Sequence, residues 1–381
     1  MHYLDQASTS FPKPKEVVQS ICEYLTQCGV SPGRGSYRLA ELAEKNVVET
    51  REKLSVILQV KQPDHIAFTQ NATHSLNIIL KGFLQENDHV LICEYSHNAA
   101  LRPLESLKKS KRISYDVLPV DFDGNIDLAD FLRLKKRETR LLVVTGASNV
   151  IGVKSKLFPV CDACKEEGIA TLIDLTQSLN YVLEQPDADF LVGTGHKTLL
   201  GPSGIGFFYA KEPSLIAPPI EGGSPGNSSL SSYHPEQIPY RFEGGTLNSV
   251  GISGLLGALT YIERKGSSVI AQEGMSLLGE VWSDLQQIPG IVIYGPKNIE
   301  NKIPLVSFNL KNWMPQEVAF ALDRRFQIAT RAGLHCAPLM HKKLKTAPLG
   351  TVRASFGHLN NRKSTTALIE ALHILSKERN P

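Results

Sequence analysis

The amino-acid sequence predicts an α/β fold built on a mainly parallel sheet, followed by a smaller α+β domain. Short apolar runs alternate with segments of helical periodicity between about residues 65 and 210, as in parallel sheets covered by helices on both faces. With 381 residues, 42% of them hydrophobic, the chain is long enough to bury one large and one small core. The predicted strands of the sheet are residues 65–69, 90–93, 141–144, 171–173, 190–192 and 206–209.

The pattern of elements changes at about residue 255. Strands and helices then follow one another without the regular alternation of the first part, which favours a separate α+β unit. We therefore expect a large domain over residues 13–254 and a small domain over 255–381, with residues 1–12 folding back onto the small one. Its predicted helices are 255–264, 271–287, 317–326 and 365–377, and its predicted strands are 291–294, 305–309, 328–331 and 352–356.

Composition excludes several classes of function. The formal net charge is +3 and the basic residues are dispersed, so no basic stripe for nucleic acid is evident. No apolar run approaches the roughly 20 residues of a membrane-spanning helix, and the first residues lack the basic and apolar regions of a signal peptide. Six dispersed cysteines suit a reducing compartment. We expect a cytoplasmic protein that binds neither nucleic acid nor a membrane.

Cys161 and Cys164 are the one closely spaced pair of cysteines in the sequence. Their spacing puts both thiols on one face of a predicted helix, and no second pair exists to complete a zinc site. We therefore expect helix packing here and no metal site.

Lys197 lies between a hydrogen-bonding cluster and a turn rich in glycine and proline, shortly after the apolar run 190–192. At a strand end in a partly dry pocket, a lysine loses part of the solvation that favours its ammonium form, and its pKa falls. The neutral amine can form a Schiff base with an aldehyde cofactor. Because most lysines are solvated surface charges, this interpretation depends on the residues around Lys197.

Asp174 provides that support, since it ends the predicted strand 171–173 upstream of Lys197. An aspartate in this position can pair with a pyridinium nitrogen and keep it protonated, which makes the ring an electron sink. Pyridoxal 5′-phosphate is the aldehyde that fits the two residues, and we expect it as the cofactor.

Several segments resemble the class V aminotransferase group of fold-type I pyridoxal phosphate enzymes. They are YLDQAST (3–9), FTQNATHS (68–75), EYSHNA (94–99), SNVIG (148–152), DLTQ (174–177) and GHK (195–197). In addition, RAGLHCAP (331–338) followed by VRASF (352–356) is similar to cysteine desulfurases, especially the SufS-like kind that includes selenocysteine lyases. The resemblance covers nearly the full length and implies a seven-stranded, mainly parallel sheet.

The cofactor phosphate is expected at Asn71, Ala72 and Thr73. These residues follow a strand and precede an apolar helix, so their backbone N–H groups form an anion site at a helix N-terminus. The resemblance implies further contacts to the same phosphate from Thr194 and His196.

For the cofactor ring, the resemblance implies that His97 stacks on the pyridine face and takes part in catalysis, while Gln177 hydrogen-bonds the phenolate. Asn149, which by itself would be a turn residue, is expected to contact cofactor and substrate. Thr246, in EGGTLN (243–248), resembles a threonine that reaches the phosphate of the neighbouring subunit. This implies a homodimer, and the alternative is a glycine-rich turn.

Arg353 is the expected clamp for the substrate. Its planar fork can bind an amino-acid carboxylate with two hydrogen bonds, and it lies on a predicted strand of the small domain. A structural ion pair is the alternative.

Cys336 is the residue that decides the reaction. It lies in a turn-like stretch beside His335 and near Arg331 and His341, and basic neighbours raise the thiolate fraction of a cysteine. By resemblance, this thiolate attacks the sulfur of L-cysteine and leaves a persulfide, with L-alanine as coproduct. Leu334 departs from the family pattern, since SufS-like loops often have another histidine there.

We therefore predict a pyridoxal phosphate-dependent L-cysteine desulfurase. Lys197 is its Schiff-base and proton-transfer residue, Cys336 accepts the sulfur, and an acceptor protein takes that sulfur onward for iron–sulfur or other thio-cofactor assembly. Two alternatives stay open: a selenocysteine lyase acting on L-selenocysteine, and an aminotransferase or epimerase in which Cys336 is incidental.

Overall fold

The computed structural model describes residues 1–33, 35–182, 184–223 and 230–379, and the strands below lie within these ranges. They are β1 (His2–Tyr3), β2 (Ile66–Thr69), β3 (His89–Cys93), β4 (Ser114–Leu118), β5 (Thr139–Thr145), β6 (Ala170–Asp174), β7 (Phe190–Thr194), β8 (Gly206–Ala210), β9 (Ile291–Tyr294), β10 (Leu305–Leu310), β11 (Ile328–Ala329), β12 (Arg331–Gly333) and β13 (Thr351–Ser355).

The α-helices connect these strands and cover them. They are α1 (Lys15–Glu23), α2 (Arg38–Leu58), α3 (Ala72–Phe83), α4 (Asn98–Ser110), α5 (Leu128–Leu134), α6 (Phe158–Glu166), α7 (Ser249–Lys265), α8 (Ser267–Leu285), α9 (Pro315–Phe326), α10 (Pro338–Lys343) and α11 (Arg362–Glu378). Of the helices within the described ranges, none combines the length and the apolar character that crossing a membrane requires.

The largest sheet among the described residues has seven strands in the order β2-β8-β7-β6-β5-β3-β4. Neighbouring strands run parallel except at β8, which is antiparallel to both β2 and β7. Each of the six predicted apolar runs overlaps one of these strands, so the predicted α/β fold with a mainly parallel seven-stranded sheet is confirmed. The sequence analysis did not identify β4, the edge strand.

Helices bury both faces of this sheet, which explains why its strands are apolar without alternation. Along β5, Leu142 and Val144 point into the core that α2, α6 and α7 complete. Leu141 and Val143 point into the opposite core, which α3 and α4 complete. The polar groups of a ligand site are therefore confined to the strand ends.

A second, antiparallel sheet has the order β12-β13-β10-β9 and packs with α8, α9 and α11 around its own core. The amino-terminal segment joins this core: Leu4 is buried in it, β1 pairs in parallel with β11, and Asp5 bridges to Ser355. The stretch 328–331, predicted as one strand, is divided at Thr330 into β11 and the start of β12, which belong to different sheets.

A buried ion pair anchors the segment 243–248 to the central sheet. Arg51 of α2 and Glu243 are both buried, and Arg51 Nη2 lies 2.6 Å from Glu243 Oε2. The other carboxylate oxygen accepts a hydrogen bond from the backbone N–H of Phe68 in β2, at 2.7 Å. Because β2 leads directly into α3, the pair fixes this segment close to the predicted phosphate site.

Replacing Arg51 by methionine should lower the free energy of unfolding by about 3–5 kcal/mol, because Glu243 would stay buried without its counter-charge. Burial already raises the pKa of Glu243 with Arg51 present. Adding Glu243→Gln should recover most of the loss, since the amide still accepts from Phe68. Urea unfolding followed by circular dichroism measures both effects. As a control, Arg325→Met, which breaks the exposed pair with Glu378, should leave the midpoint nearly unchanged.

Candidate active site

One cleft, with a volume of about 520 Å³ including the part open to solvent, lies at the carboxyl ends of the parallel strands. Its wall brings together all but one of the residues that were predicted to hold the cofactor, which come from five separate segments of the chain. These residues are Asn71, Ala72, Thr73, His97, Asn149, Asp174, Gln177, Thr194, His196 and Lys197.

Three further residues of the wall were not predicted. Thr145 ends β5, Thr176 follows Asp174, and Ala99 lies in the first turn of α4. Thr176 belongs to the segment DLTQ, and Ala99 belongs to EYSHNA, so the family resemblance held a signal for both. Thr145 had none beyond its position at a strand end.

The first turn of α3 forms one end of the cleft. Asn71 is the N-cap, and its side-chain oxygen accepts from the backbone N–H of His74 at 3.0 Å. The N–H groups of Ala72 and Thr73 have no partner within the helix, as at any helix start. A Cβ on Gly206 of β8 would lie 2.5 Å from the Asn71 carbonyl carbon, so only glycine lets this strand approach the turn so closely.

Lys197 and Asp174 form the centre of the cleft. Burial lowers the pKa of Lys197 to about 8, although the nearby charge of Asp174 acts in the opposite direction. Asp174 is buried at the end of β6, where its Oδ1 accepts from the Thr176 N–H at 3.0 Å. The lysine amine is therefore neutral in a substantial fraction of molecules at physiological pH, and the neutral form is the nucleophile.

Two histidines of the cleft are uncharged at neutral pH. Burial, with a contribution from the charge of Lys197, lowers the pKa of His97 to about 4 and that of His196 to about 4. His97 is the N-cap of α4, and its Nδ1 accepts from the Ala99 N–H at 3.0 Å. This hydrogen bond leaves the proton on Nε2 and fixes the orientation of the ring beside the cleft.

Arg353 is almost fully buried, with 1% of its surface exposed. Its Nη1 donates to the carbonyl of Asn149 at 2.9 Å, and Nη2 donates to Asp5 Oδ1 and to Ser8 Oγ, both at 2.9 Å. Among the described residues, Nε has no partner. Arg353 thus forms the ion pair that was the alternative to carboxylate binding, and it retains an unpaired donor. Its role as a substrate clamp stays a prediction.

Cys336 lies at the rim of this arrangement and is partly buried. Arg331 Nη2 is 3.7 Å from the thiol Sγ, while Nη1 donates to Ser8 Oγ at 3.1 Å. Ser8 therefore accepts from both Arg331 and Arg353. Arg331 therefore places a positive charge beside the Cys336 sulfur.

The backbone at Cys336 is left-handed, with φ 47° at His335 and 56° at Cys336. Two hydrogen bonds to the walls of the cleft hold it: the Asn98 N–H donates to the Cys336 carbonyl, and Asn149 Nδ2 donates to the His335 carbonyl, both at 2.7 Å. His341, expected near Cys336, is fully buried, and its ring lies 5.6 Å from that of His335.

Thr246 is the one predicted cofactor contact that does not line the cleft of its own chain. It is exposed, in the segment that precedes α7. Within the ranges that the structure describes, no group of three or more histidine, cysteine or acidic side chains is placed to hold a metal ion.

Comparison with known proteins identifies the family. The profile described as aminotransferase class-V matches residues 2–368. The chain belongs to the class-V aminotransferase family. Enzymes of this family depend on pyridoxal phosphate, which confirms the predicted cofactor.

The relatives of this chain that follow are all described as cysteine desulfurases. A probable cysteine desulfurase of Pyrococcus abyssi is 33% identical, over 98% of this chain and 94% of the relative. The cysteine desulfurase of Pectobacterium carotovorum is 33% identical, over 89% and 84%. The structure of an apo cysteine desulfurase from Thermococcus onnurineus NA1 superimposes with a TM-score of 0.91 at 32% identity, over 99% and 94%. The predicted resemblance to cysteine desulfurases is confirmed.

The residues of the cleft fit the cofactor of the family. Two polar atoms on its wall, His196 Nδ1 and Thr176 Oγ1, are buried and have no hydrogen-bond partner among the described residues. Unpaired buried polar atoms are costly, so a polar ligand that pairs with them stabilises the site. The N–H groups at the start of α3 suit a phosphate, and Asp174 suits a protonated ring nitrogen.

The apoprotein should combine with pyridoxal phosphate about ten times faster at pH 9 than at pH 7, with a plateau above, because the neutral fraction of an amine of pKa about 8 rises by that ratio. Stopped-flow absorbance of the cofactor measures the rate. Nα-acetyl-lysine, whose amine has an ordinary pKa, should show a rise of about a hundredfold and no plateau. If the protein also showed a rise of about a hundredfold without a plateau, the pKa of Lys197 would not be lowered.

Proposed function

We propose that the chain is an L-cysteine desulfurase, in which L-cysteine and the Cys336 thiol give L-alanine and a Cys336 persulfide. The carbon–sulfur bond of the substrate breaks, a sulfur–sulfur bond forms at Cys336, and the thiol proton is balanced by the new C–H bond of alanine. The observation that carries this proposal is the pairing of Arg331 with a partly buried cysteine at the rim of the Lys197 cleft. The names of the relatives support it.

Bound pyridoxal phosphate supplies an electron sink for the carbanion at the substrate Cα. Lys197 holds the aldehyde cofactor and, with its lowered pKa, accepts and returns the Cα proton near neutral pH. Asp174 keeps the ring nitrogen protonated, and neutral His97 packs on the ring.

The remaining residues of the cleft bind the cofactor through polar groups. The backbone at the start of α3 and the side chains of Thr194 and His196 receive the phosphate, and Gln177 contacts the phenolate oxygen. Gln177 Nε2 also donates to the Ala7 carbonyl at 2.8 Å, which fixes the orientation of its amide.

Arg353 and Asn149 bind the substrate carboxylate in this proposal. The unpaired Nε of Arg353 supports it, and so does the position of Asn149, which lines the cleft while its carbonyl accepts from Arg353. Asp5 balances the buried charge of Arg353 when no carboxylate is bound.

Replacing Arg353 by lysine should raise KM for L-cysteine about ten- to a hundredfold, because the charge stays but the hydrogen bond from Nε to the carboxylate is lost, a charge-assisted contact worth roughly 1.5–3 kcal/mol. Cofactor binding should not change. Steady-state kinetics with alanine as the measured product tests this. Arg362→Lys, at an exposed position, is the matched control. An unchanged KM would assign Arg353 to the ion pair with Asp5 alone.

Replacing Cys336 by serine should abolish alanine release from L-cysteine while cofactor binding persists, because a hydroxyl cannot accept the sulfur. Anaerobic turnover with separate determination of alanine, keto acid and sulfide, together with alkylation and mass spectrometry for the persulfide, measures it. Cys22→Ser, at an exposed free cysteine, should behave as the wild type.

The same assay separates the alternatives. Full activity of Cys336→Ser on L-selenocysteine, with none on L-cysteine, would fit a selenocysteine lyase, in which the weaker carbon–selenium bond needs less help from a thiolate. Keto-acid formation by the wild type would contradict the desulfurase proposal and favour transamination.

We further propose a homodimer in which Thr246 contacts the phosphate in the neighbouring active site. Its exposure and its absence from the cleft of its own chain support this. Chains with Thr246→Ala and chains with Lys197→Ala should then recover tight cofactor binding when they are mixed, because one site of each mixed dimer has both residues intact. No recovery over the two separate variants would contradict a contact between subunits.

The sulfur of the persulfide would pass to an acceptor protein for iron–sulfur or other thio-cofactor assembly. All six cysteines are free thiols, which supports a reducing compartment such as the cytoplasm. Incubation of the persulfide form with candidate acceptors, followed by mass spectrometry of both proteins, tests the transfer. Retention of the sulfur on Cys336 with every acceptor would count against it.

A further inference from the structure

Four consecutive backbone carbonyls beside the cleft, those of residues 149–152, each accept a hydrogen bond from a donor between residues 302 and 353. We call this stretch the 149–152 segment. The donors are Arg353 Nη1 to Asn149 at 2.9 Å, Ser307 Oγ to Val150 at 2.6 Å, Lys302 Nζ to Ile151, and the Ile303 N–H to Gly152 at 2.7 Å.

Lys302 is the least expected of these donors. Only 1% of its surface is exposed, and its ammonium group donates to the carbonyl of Ile151. Its Nζ lies 5.2 Å from the centre of the Trp282 ring. Burial lowers its pKa to about 7. A buried lysine without a counter-charge destabilises the fold, which indicates that its position serves something other than stability.

The packing around the segment leaves little freedom for it to shift. Gly152 has φ +75°, and a Cβ on it would lie 3.0 Å from Leu305 Cγ. Ser307 is completely buried, as is the neighbouring Val150. The position of Asn149 in the cleft therefore depends on the contacts that residues 302–307 make with the three residues that follow it in the chain.

We infer that Lys302 and Ser307 are positioning residues for the amino-acid substrate: by fixing the 149–152 segment they set Asn149, and through its carbonyl Arg353, at the cleft. The inference rests on the proposed function, since it assumes that Asn149 and Arg353 bind the substrate carboxylate. Neither Lys302 nor Ser307 contacts the cleft itself.

The test compares Lys302→Met and Ser307→Ala with the wild-type holoenzyme. Methionine keeps the length and the packing on Trp282 but removes the donor. Each variant should raise KM for L-cysteine about three- to tenfold, the ratio that an ordinary net hydrogen-bond energy corresponds to, with kcat within about twofold of the wild type. The midpoint temperature of thermal unfolding of Lys302→Met should not fall below that of the wild type, because the substitution removes a buried ammonium group that has no counter-charge.

Ser376→Ala is the matched control. Ser376 is also fully buried and also donates to a backbone carbonyl, that of His373 at 2.9 Å, but it lies in α11. Its KM should equal that of the wild type. If Lys302 and Ser307 had a purely structural role, Lys302→Met and Ser307→Ala would shift the unfolding midpoint, as Ser376→Ala does, and the ratio of KM to kcat would not change.

Hydrogen exchange provides a readout that does not depend on turnover. Amides of residues 148–153 should exchange faster in Lys302→Met than in the wild type, while amides of α11 should not change. An unchanged KM in both variants, or unchanged exchange in this stretch, would overturn the inference. If the wild type does not turn over L-cysteine, the proposed function is wrong. Faster exchange of residues 148–153 in Lys302→Met would then still support the control of this segment by Lys302.

Discussion

Parallel strands that end at one edge of the sheet position the chemistry of this protein. Thr145, Asp174 and Thr194 are the last residues of β5, β6 and β7, and Thr145 lies directly opposite Asp174 in the ladder. Because a slip of one residue would exchange the side chains of the two faces, the close packing of side chains of different shape in the two cores fixes this register. The packing of the hydrophobic cores therefore determines how far apart the polar side chains at the strand ends lie, although these side chains are outside the cores.

The cleft is dry enough to change the chemistry of its basic groups, and this depends on balanced charge. Lys197 lies close to Asp174, and Arg353 is paired with Asp5. Arg331 has no carboxylate partner among the described residues, and its Nη2 lies beside Cys336 Sγ. The arginine that faces the cysteine is therefore the one that remains available to a further anionic group.

Most of the large sheet could be predicted from sequence because its strands are short continuous apolar runs. β4 was missed since it is a half-exposed edge strand with Asp116 at its centre, and such a run does not look apolar. α10 was missed because six residues, three of them basic, are too few to show helical periodicity.

The candidate site was predictable to the extent that its residues follow strands or start helices. Contacts between distant parts of the chain left no such signal. Asp5 and Arg353 are 348 residues apart, and Lys302 and Ile151 are 151 residues apart. No periodicity or spacing links such pairs, and they form only when the amino-terminal segment and the second core pack against the sheet.

The hydrogen bonds along the 149–152 segment bear on how a substrate enters. Opening the cleft by separating the two cores at this place would break four backbone contacts together. The loop of residues 334–337 is held to the walls by two backbone contacts, at the carbonyls of His335 and Cys336, and to β13 by the His335 ring, whose Nε2 lies 3.1 Å from the Thr351 carbonyl. Local opening draws on the least stable element available. We therefore expect the mouth to widen by displacement of residues 334–337 over a rigid floor, so that Cys336 itself moves aside to admit the amino acid and returns over it. Structures with and without a bound amino acid test this: movement of residues 149–152 with residues 334–337 unmoved would contradict it.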